Sequence, residues 1–241
     1  MLSLICNSAS NRKIIFCLNT HYLYRNLVLE FSVMNKTFLI FLLVLWAFGF
    51  SSCDKPNQFT PGQQELIMAS DTSQAMRVWS IANTEDSLLL RQKSKQVIPD
   101  STDEVLQALV HRLYKTVTDS VSLGVGISAP QVGILKQVIW VQRFDKSGFP
   151  FEFYLNPRIR QYSALTQECR EGCLSIPDRM DTLNSRSYAV LLEYQSMDGQ
   201  QHVEMVEDFT AVIFQHEIDH LNGILYTDHL EAEAQDENSL K

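Results

Sequence analysis

Residues 208–223 read DFTAVIFQHEIDHLNG. Within them Phe209, Val212, Ile213, His216 and His220 recur at i, i+3, i+4, i+7 and i+11, the spacing of one helix face, apolar below and imidazole above. Asp208 is a good N-cap, and Gly223 suits the left-handed residue that closes a helix. The pentad His216-Glu217-Ile218-Asp219-His220 is H-E-x-x-H, so its two imidazoles stand one above the other and can bite a single divalent ion. Glu217, one residue round the helix, can reach a water at that ion without competing as a ligand. Without a metal the same pattern reads as two solvated helix histidines.

A hydrolytic site of this kind needs three protein ligands and one open position. An extended three-histidine motif would place its last imidazole at position 226, where this chain has Tyr226. A carboxylate on a following helix is another solution, but only an acidic tail with Glu231, Glu233, Asp236 and Glu237 is expected there. Upstream, Glu171-Gly172-Cys173-Leu174-Ser175 offers a thiol in a glycine-flanked turn, which would complete a site of one cysteine and two histidines; a small buried hydrophobe is the other fate of a lone cysteine. The glycine-rich GVGISAPQVG (124–133) lacks dinucleotide-loop spacing and implies only a backbone in close approach to something.

Around these motifs the pattern is α+β. Ser101-Thr102-Asp103-Glu104 has capping-box spacing, and the apolar positions from Val105 to Val117 predict an N-terminal helix over 102–118. Residues 137–144 and 151–155 read as one hairpin and residues 188–195 and 200–206 as another, the latter turning at Asp198-Gly199. The expected architecture is antiparallel sheets and hairpins packed around a C-terminal metal-binding helix. At 241 residues, 45% hydrophobic and 20% charged, the chain can bury a full core, and its net charge of −8 argues against nucleic acid as a partner. Five cysteines, at positions 6, 17, 53, 169 and 173, are too few and too scattered for a disulfide scaffold.

GVGISAPQVG (124–133), EGCLS (171–175) and QHEIDH (215–220) together resemble the three signature motifs of the peptide deformylase family, in the same order and with similar spacing. The resemblance extends over residues 88–229 and includes Leu90-Arg91 and Leu155-Asn156-Pro157. It implies that Cys173, His216 and His220 bind the metal, that Glu217 is the general acid and base, and that the Gln131 side chain and the Leu174 backbone N–H form the oxyanion hole. It further implies that Gly126 lends its backbone to the bound peptide. One divalent ion is implied, typically Fe2+, with Zn2+ or Ni2+ able to take its place. Ser128 stands where the family usually has Ala, a change expected to be tolerated. By position Val125, Phe209, Val212 and Ile213 are candidates for an apolar methionine slot, with plain core as the competing reading. Asp219 reads as a structural partner for an arginine, and Cys169 as a bystander.

The implied activity is metal-dependent removal of the N-formyl group from formyl-methionyl peptides, releasing formate. A non-catalytic, metal-containing peptide-binding lipoprotein and a broader metal-dependent amidase are the alternatives.

The first fifty residues read as an address. Phe38–Phe50 (FLIFLLVLWAFGF) is too short to span a bilayer as a helix but fits the core of a signal peptide. With Met34-Asn35-Lys36 before it and Ser51-Ser52-Cys53 after it, the arrangement resembles a bacterial lipoprotein signal, with Met34 as the start and Cys53 as the lipidated residue. The expected division is 1–53 as upstream stretch and signal, 54–75 as a polar tether, 76–232 as the catalytic domain and 233–241 as an acidic tail. Such a protein would be exported and membrane-anchored, with a cytoplasmic location as the alternative.

Overall fold

The computed structural model describes residues 58–119 and 124–239. Met34, the 38–50 run and Cys53 lie outside the described residues. Among these residues three helices precede seven strands and two helices follow them: α1 (Pro61–Met68), α2 (Thr84–Leu90), α3 (Glu104–Val117), β1 (Gly126–Ser128), β2 (Val138–Gln142), β3 (Phe151–Tyr162), β4 (Thr166–Cys173), β5 (Ile176–Ser187), β6 (Ala189–Gln195), β7 (Gln201–Glu207), α4 (Asp208–Leu221) and α5 (Tyr226–Ser239). A single turn of 3-10 helix, Ala129–Val132, follows β1.

Five strands form one antiparallel sheet in the order β1-β2-β3-β6-β7, and β4 and β5 form a separate hairpin. Both hairpins expected from the sequence are present: Val138 pairs with Leu155 across β2–β3, and Ala189 with Glu207 across β6–β7. α4 lays Ala211, Phe214, Ile218 and Leu221 on Ile139, Val141, Tyr154, Val190, Leu192 and Val206 of that sheet. α3 buries Leu106, Leu109, Val110, Leu113 and Val117 in a second core with Ile127, Val138 and Leu155. The expected α+β architecture is therefore the observed one.

Several details differ from the sequence reading. The cap of α3 is Asp103, whose Oδ1 accepts from the Val105 and Leu106 N–H groups, rather than Ser101 or Thr102. Asp208 does not cap α4: it is already the first helical residue, at φ +58°, and its N–H is taken by Tyr188 O in the tight corner from β7. Gly223, at φ +74°, does close the helix, and a Cβ there would stand 2.3 Å from Arg91 O.

Within the expected tether, residues 61–68 form α1. Thr60 and Gln63 make a reciprocal cap and Pro61 opens the first turn, while Phe59 and Ile67 are buried. Two inward residues over so short a stretch are too few to register as periodicity. The acidic tail from 233 is likewise helical, as the end of α5 to Ser239, and Glu233 accepts from the Asn184 and Ser185 N–H groups at 2.9 and 2.8 Å. The β4–β5 hairpin has exposed residues along much of both strands, which conceals it from a search for alternating burial.

Phe214 is fully buried and meets the Tyr154 ring edge-on at 4.8 Å. Phe214→Ala should lower the unfolding free energy by about 3–5 kcal/mol, read as a lower midpoint in urea.

Candidate metal centre

The long register of β4–β5, irregular at Gly172/Cys173, ends in a turn that delivers Cys173 to the C-terminal half of α4. There the ligand atoms of Cys173, His216 and His220 all lie within 4.8 Å of one another, and among the described residues no other three such side chains converge in this way. Cys173 Sγ is 3.2 Å from His220 Nε2. The i, i+4 spacing does what the sequence implied: the two rings stand 5.1 Å apart on one face of α4. The half-buried cysteine is thus a candidate ligand rather than a piece of core.

A buried chain of charges aims His216. Its Nδ1 lies 2.8 Å from Glu171 Oε2, which leaves Nε2 facing the sulfur. Glu171 is held in turn by Arg186, through Nε at 2.7 Å and Nη2 at 3.0 Å, and Arg186 Nη1 reaches Asp219 at 2.7 Å. His229 Nε2 lies 2.8 Å from the same Asp219 oxygen, Oδ2. Burial would push the Glu171 carboxyl up, but His216 and Arg186 pull it down to about 2, so it stays ionised. The reading of Asp219 as an arginine's partner holds.

Burial also opposes ionisation of Cys173, yet the adjoining imidazoles His220 and His216 overcome it and hold the thiol well below its usual range. The thiolate is the form in which a cysteine ligates metals. A thiolate with two imidazoles suits Zn2+ and Fe2+ alike, and the donor set fits a single divalent ion with a position to spare.

Glu217 lies beside this group, 3% exposed, and its Oε2 is buried without a hydrogen-bond partner. Burial pushes its carboxyl up to about 7 against the pull of the two imidazoles. That is the range in which a carboxyl can both accept and return a proton near neutrality.

Across from Glu217, Gln131 is fixed by its neighbours. Its Oε1 accepts from the Ser128 N–H at 2.9 Å and from the Ser128 hydroxyl at 3.0 Å. Nε2 is thereby turned toward the site, 3.4 Å from Ser175 Oγ and 3.7 Å from Cys173 Sγ. Ser128 thus adds a hydroxyl that orients the amide. Behind both loops, the Trp79 N–H donates to Gln131 O at 2.7 Å and the Ile81 N–H to Ser175 O at 3.0 Å.

Val125, Gly126, Gln131, Leu174, Phe209, Val212 and Ile213 all line one open cleft with Cys173, His216 and Glu217. A Cβ on Gly126 would meet Glu217 Oε1 at 2.5 Å and Ile213 Cγ2 at 2.8 Å, so only glycine lets the backbone run this close to the carboxylate. Val212 and Ile213 are 2% and 4% exposed, so they serve as core and cleft wall together. Cys169 does not line this cleft, and burial raises its pKa. The Glu171–Arg186 pair escaped the sequence reading because only the register of β4 on β5 brings Arg186 to that carboxylate; the sole local signal was an acid two residues before the cysteine.

This constellation defines a mononuclear metal hydrolase of the H-E-x-x-H kind. The sequence profile of the family described as Polypeptide deformylase matches residues 78–236. The peptide deformylase of Caulobacter sp. (strain K31) is 35% identical over 155 residues, 64% of this chain and 87% of that protein. That of Desulforudis audaxviator (strain MP104C) is 34% identical over 155 residues, covering 64% and 94%. Among solved structures, a class I type b peptide deformylase from Acinetobacter baumannii superposes with a TM-score of 0.57 at 30% identity, over 64% of this chain and 98% of that one. The Thermotoga maritima enzyme gives 0.56 at 32% identity, over 64% and 97%. The chain belongs to the peptide deformylase family.

Glu171→Gln should weaken metal binding about 10- to 100-fold, measured by competition with a chromophoric chelator, and should lower the thermal midpoint because the buried Arg186 loses its anion.

Proposed function

We propose that this chain releases formate from N-formylmethionyl peptides with Cys173, His216 and His220 holding one divalent ion, Fe2+ in its native state. The observation that carries this reading is the buried Glu217 carboxylate beside three converging ligand atoms, with the Gln131 amide turned toward the same point. When bound there, the ion supplies Lewis acidity and lowers the pKa of water toward neutrality.

The chain's own residues divide the remaining work. Glu217 takes a proton from the attacking water and returns it to the departing amine nitrogen, so that the C–N bond breaks to give formate and a free amino terminus. Gln131 Nε2 and the Leu174 N–H donate to the oxygen of the formyl group as it gains negative charge. Gly126 offers backbone to the extended peptide, while Val125, Phe209, Val212 and Ile213 receive the methionine side chain. A solved relative from Acinetobacter baumannii carries Met-Ala-Ser, the peptide left when formyl-Met-Ala-Ser loses formate.

Formate release from formyl-Met-Ala-Ser, with acetyl-Met-Ala-Ser as comparison, tests the reading on chain loaded anaerobically with Fe2+ or Ni2+. Formate from the first alone supports deformylation. Cleavage of both would make it a broader amidase, and cleavage of neither a binding protein. Glu217→Gln should keep the metal and lower kcat by about 10²- to 10⁴-fold.

The setting we propose is outside the cytoplasm, with the chain tethered by lipid on Cys53. The support is the apolar 38–50 run followed by Ser51-Ser52-Cys53, together with a ligand set that is complete. No helix among the described residues is long and apolar enough to cross a membrane. An anchored copy would act on free formylated peptides rather than on chains leaving the ribosome. Membrane fractionation of the expressing cells should find the chain in the detergent phase, and Cys53→Ala should move it out; recovery of unprocessed chain solely in the cytosol would overturn this placement.

A further inference from the structure

The family match begins at residue 78, yet the described chain begins twenty residues earlier, and those residues are bound tightly to the domain. Arg112 of α3, only 4% exposed, clamps them: its guanidinium donates to the carbonyls of Leu66 (3.0 Å), Ile67 (2.8 Å) and Gln74 (3.2 Å) and reaches Ala75 O at 3.5 Å. One turn on, Thr116 Oγ1 accepts from the Met76 N–H at 2.8 Å. A segment with buried Phe59, Ile67 and Met76 and this many internal partners is a built part of the fold.

Its end reaches the substrate cleft. Ala75, Met76 and Val78 line the same cleft as Gln131, Cys173 and Glu217. Their place along it follows from neighbours. Gly126 abuts Glu217, at the reacting end, whereas a Cβ on Gly124 would meet Val117 Cγ2 at 3.1 Å and Leu174 Cδ1 at 3.2 Å. Val117 adjoins Thr116, which holds Met76. Gly124 stands two residues before Gly126 across a bend at Val125, so the two lie within roughly 7 Å, the reach of about two residues of an extended peptide. A formylated peptide with its first residue at Gly126 therefore brings its following residues to Leu174 and to the strap.

On the reading of this site as a deformylase, we propose that residues 58–77 form a strap whose end, Ala75 and Met76, builds an apolar subsite for the residues that follow formyl-methionine. Ala75, Met76, Val78 and Leu174 give this part of the cleft an apolar wall, with Asp119 also on its lining, so the strap itself favours apolar side chains. The strap thus makes this chain selective over a part of the peptide that residues 78–236 alone would leave less enclosed.

Ala75 is exposed and makes no core contact, so Ala75→Asp tests the idea without threatening the fold, which a thermal melt checks. On metal-loaded full chain, kcat/KM is compared for formyl-Met-Leu-Leu-amide and formyl-Met-Lys-Lys-amide. The parent should prefer the leucine peptide, and Ala75→Asp should shift the ratio about tenfold toward lysine. Met76→Gln should erode the leucine preference in the same direction. Formate release from both peptides with a ratio unchanged to within twofold in both variants would overturn the strap proposal and leave the deformylase reading standing. No formate from either peptide with any variant would sink the deformylase reading itself.

Discussion

One constraint underlies the rest: a thiolate on a hairpin turn and two imidazoles on a helix must be held within a few ångströms of each other, although 42 residues of chain separate Cys173 from His216. Such a cluster does not assemble from local preference. It requires α4 to be pinned against the five-stranded sheet through Ala211 and Phe214, and the β4–β5 hairpin to be locked onto α4 from the side. The lock is the ionic chain from Glu171 through Arg186 to Asp219, which joins the hairpin to the helix and aims His216 in the same stroke. Charges this deeply buried are retained only where each is satisfied, and here both Glu171 oxygens and all three donating atoms of Arg186 find partners.

The same economy governs the groups around the cluster. Glu217 sits where burial keeps its proton affinity near neutrality, and Gly126 is the residue that lets the chain's own backbone run close beside it. Ser128 turns the Gln131 amide by accepting none of its hydrogens and giving two of its own to the oxygen, so that nitrogen is left facing the site. The backbone of Trp79 and Ile81 then ties the Gln131 and Ser175 loops together. Polar groups are concentrated around the metal cluster, and ordinary apolar packing supports it from below.

Much of this was legible in the sequence because its signals are short-range. The i, i+4 histidines, the Asp198-Gly199 turn and the β-branched and aromatic run of residues 137–144 each encode a local geometry, and the three motifs in order bring the cysteine to the histidines. What the sequence hid depends on register and on docking. Arg186 is an unremarked arginine until β5 pairs with β4, and Glu171 until it meets His216. The segment 58–75 looked like tether because its burial rests on two scattered side chains, Phe59 and Ile67, and on hydrogen bonds supplied by Arg112, a residue on a different helix. The α5 end looked like a tail because its fixed point, Glu233, binds backbone N–H groups of β5 rather than any neighbour in sequence.

The chemistry of the site depends on sulfur and nitrogen sharing one ion. X-ray absorption on the full chain loaded with a single equivalent of Zn2+ measures this directly. It should find one sulfur scatterer at about 2.3 Å and two imidazole nitrogens at about 2.0–2.1 Å. A folded chain that binds the ion with oxygen and nitrogen alone, and no sulfur, would contradict it.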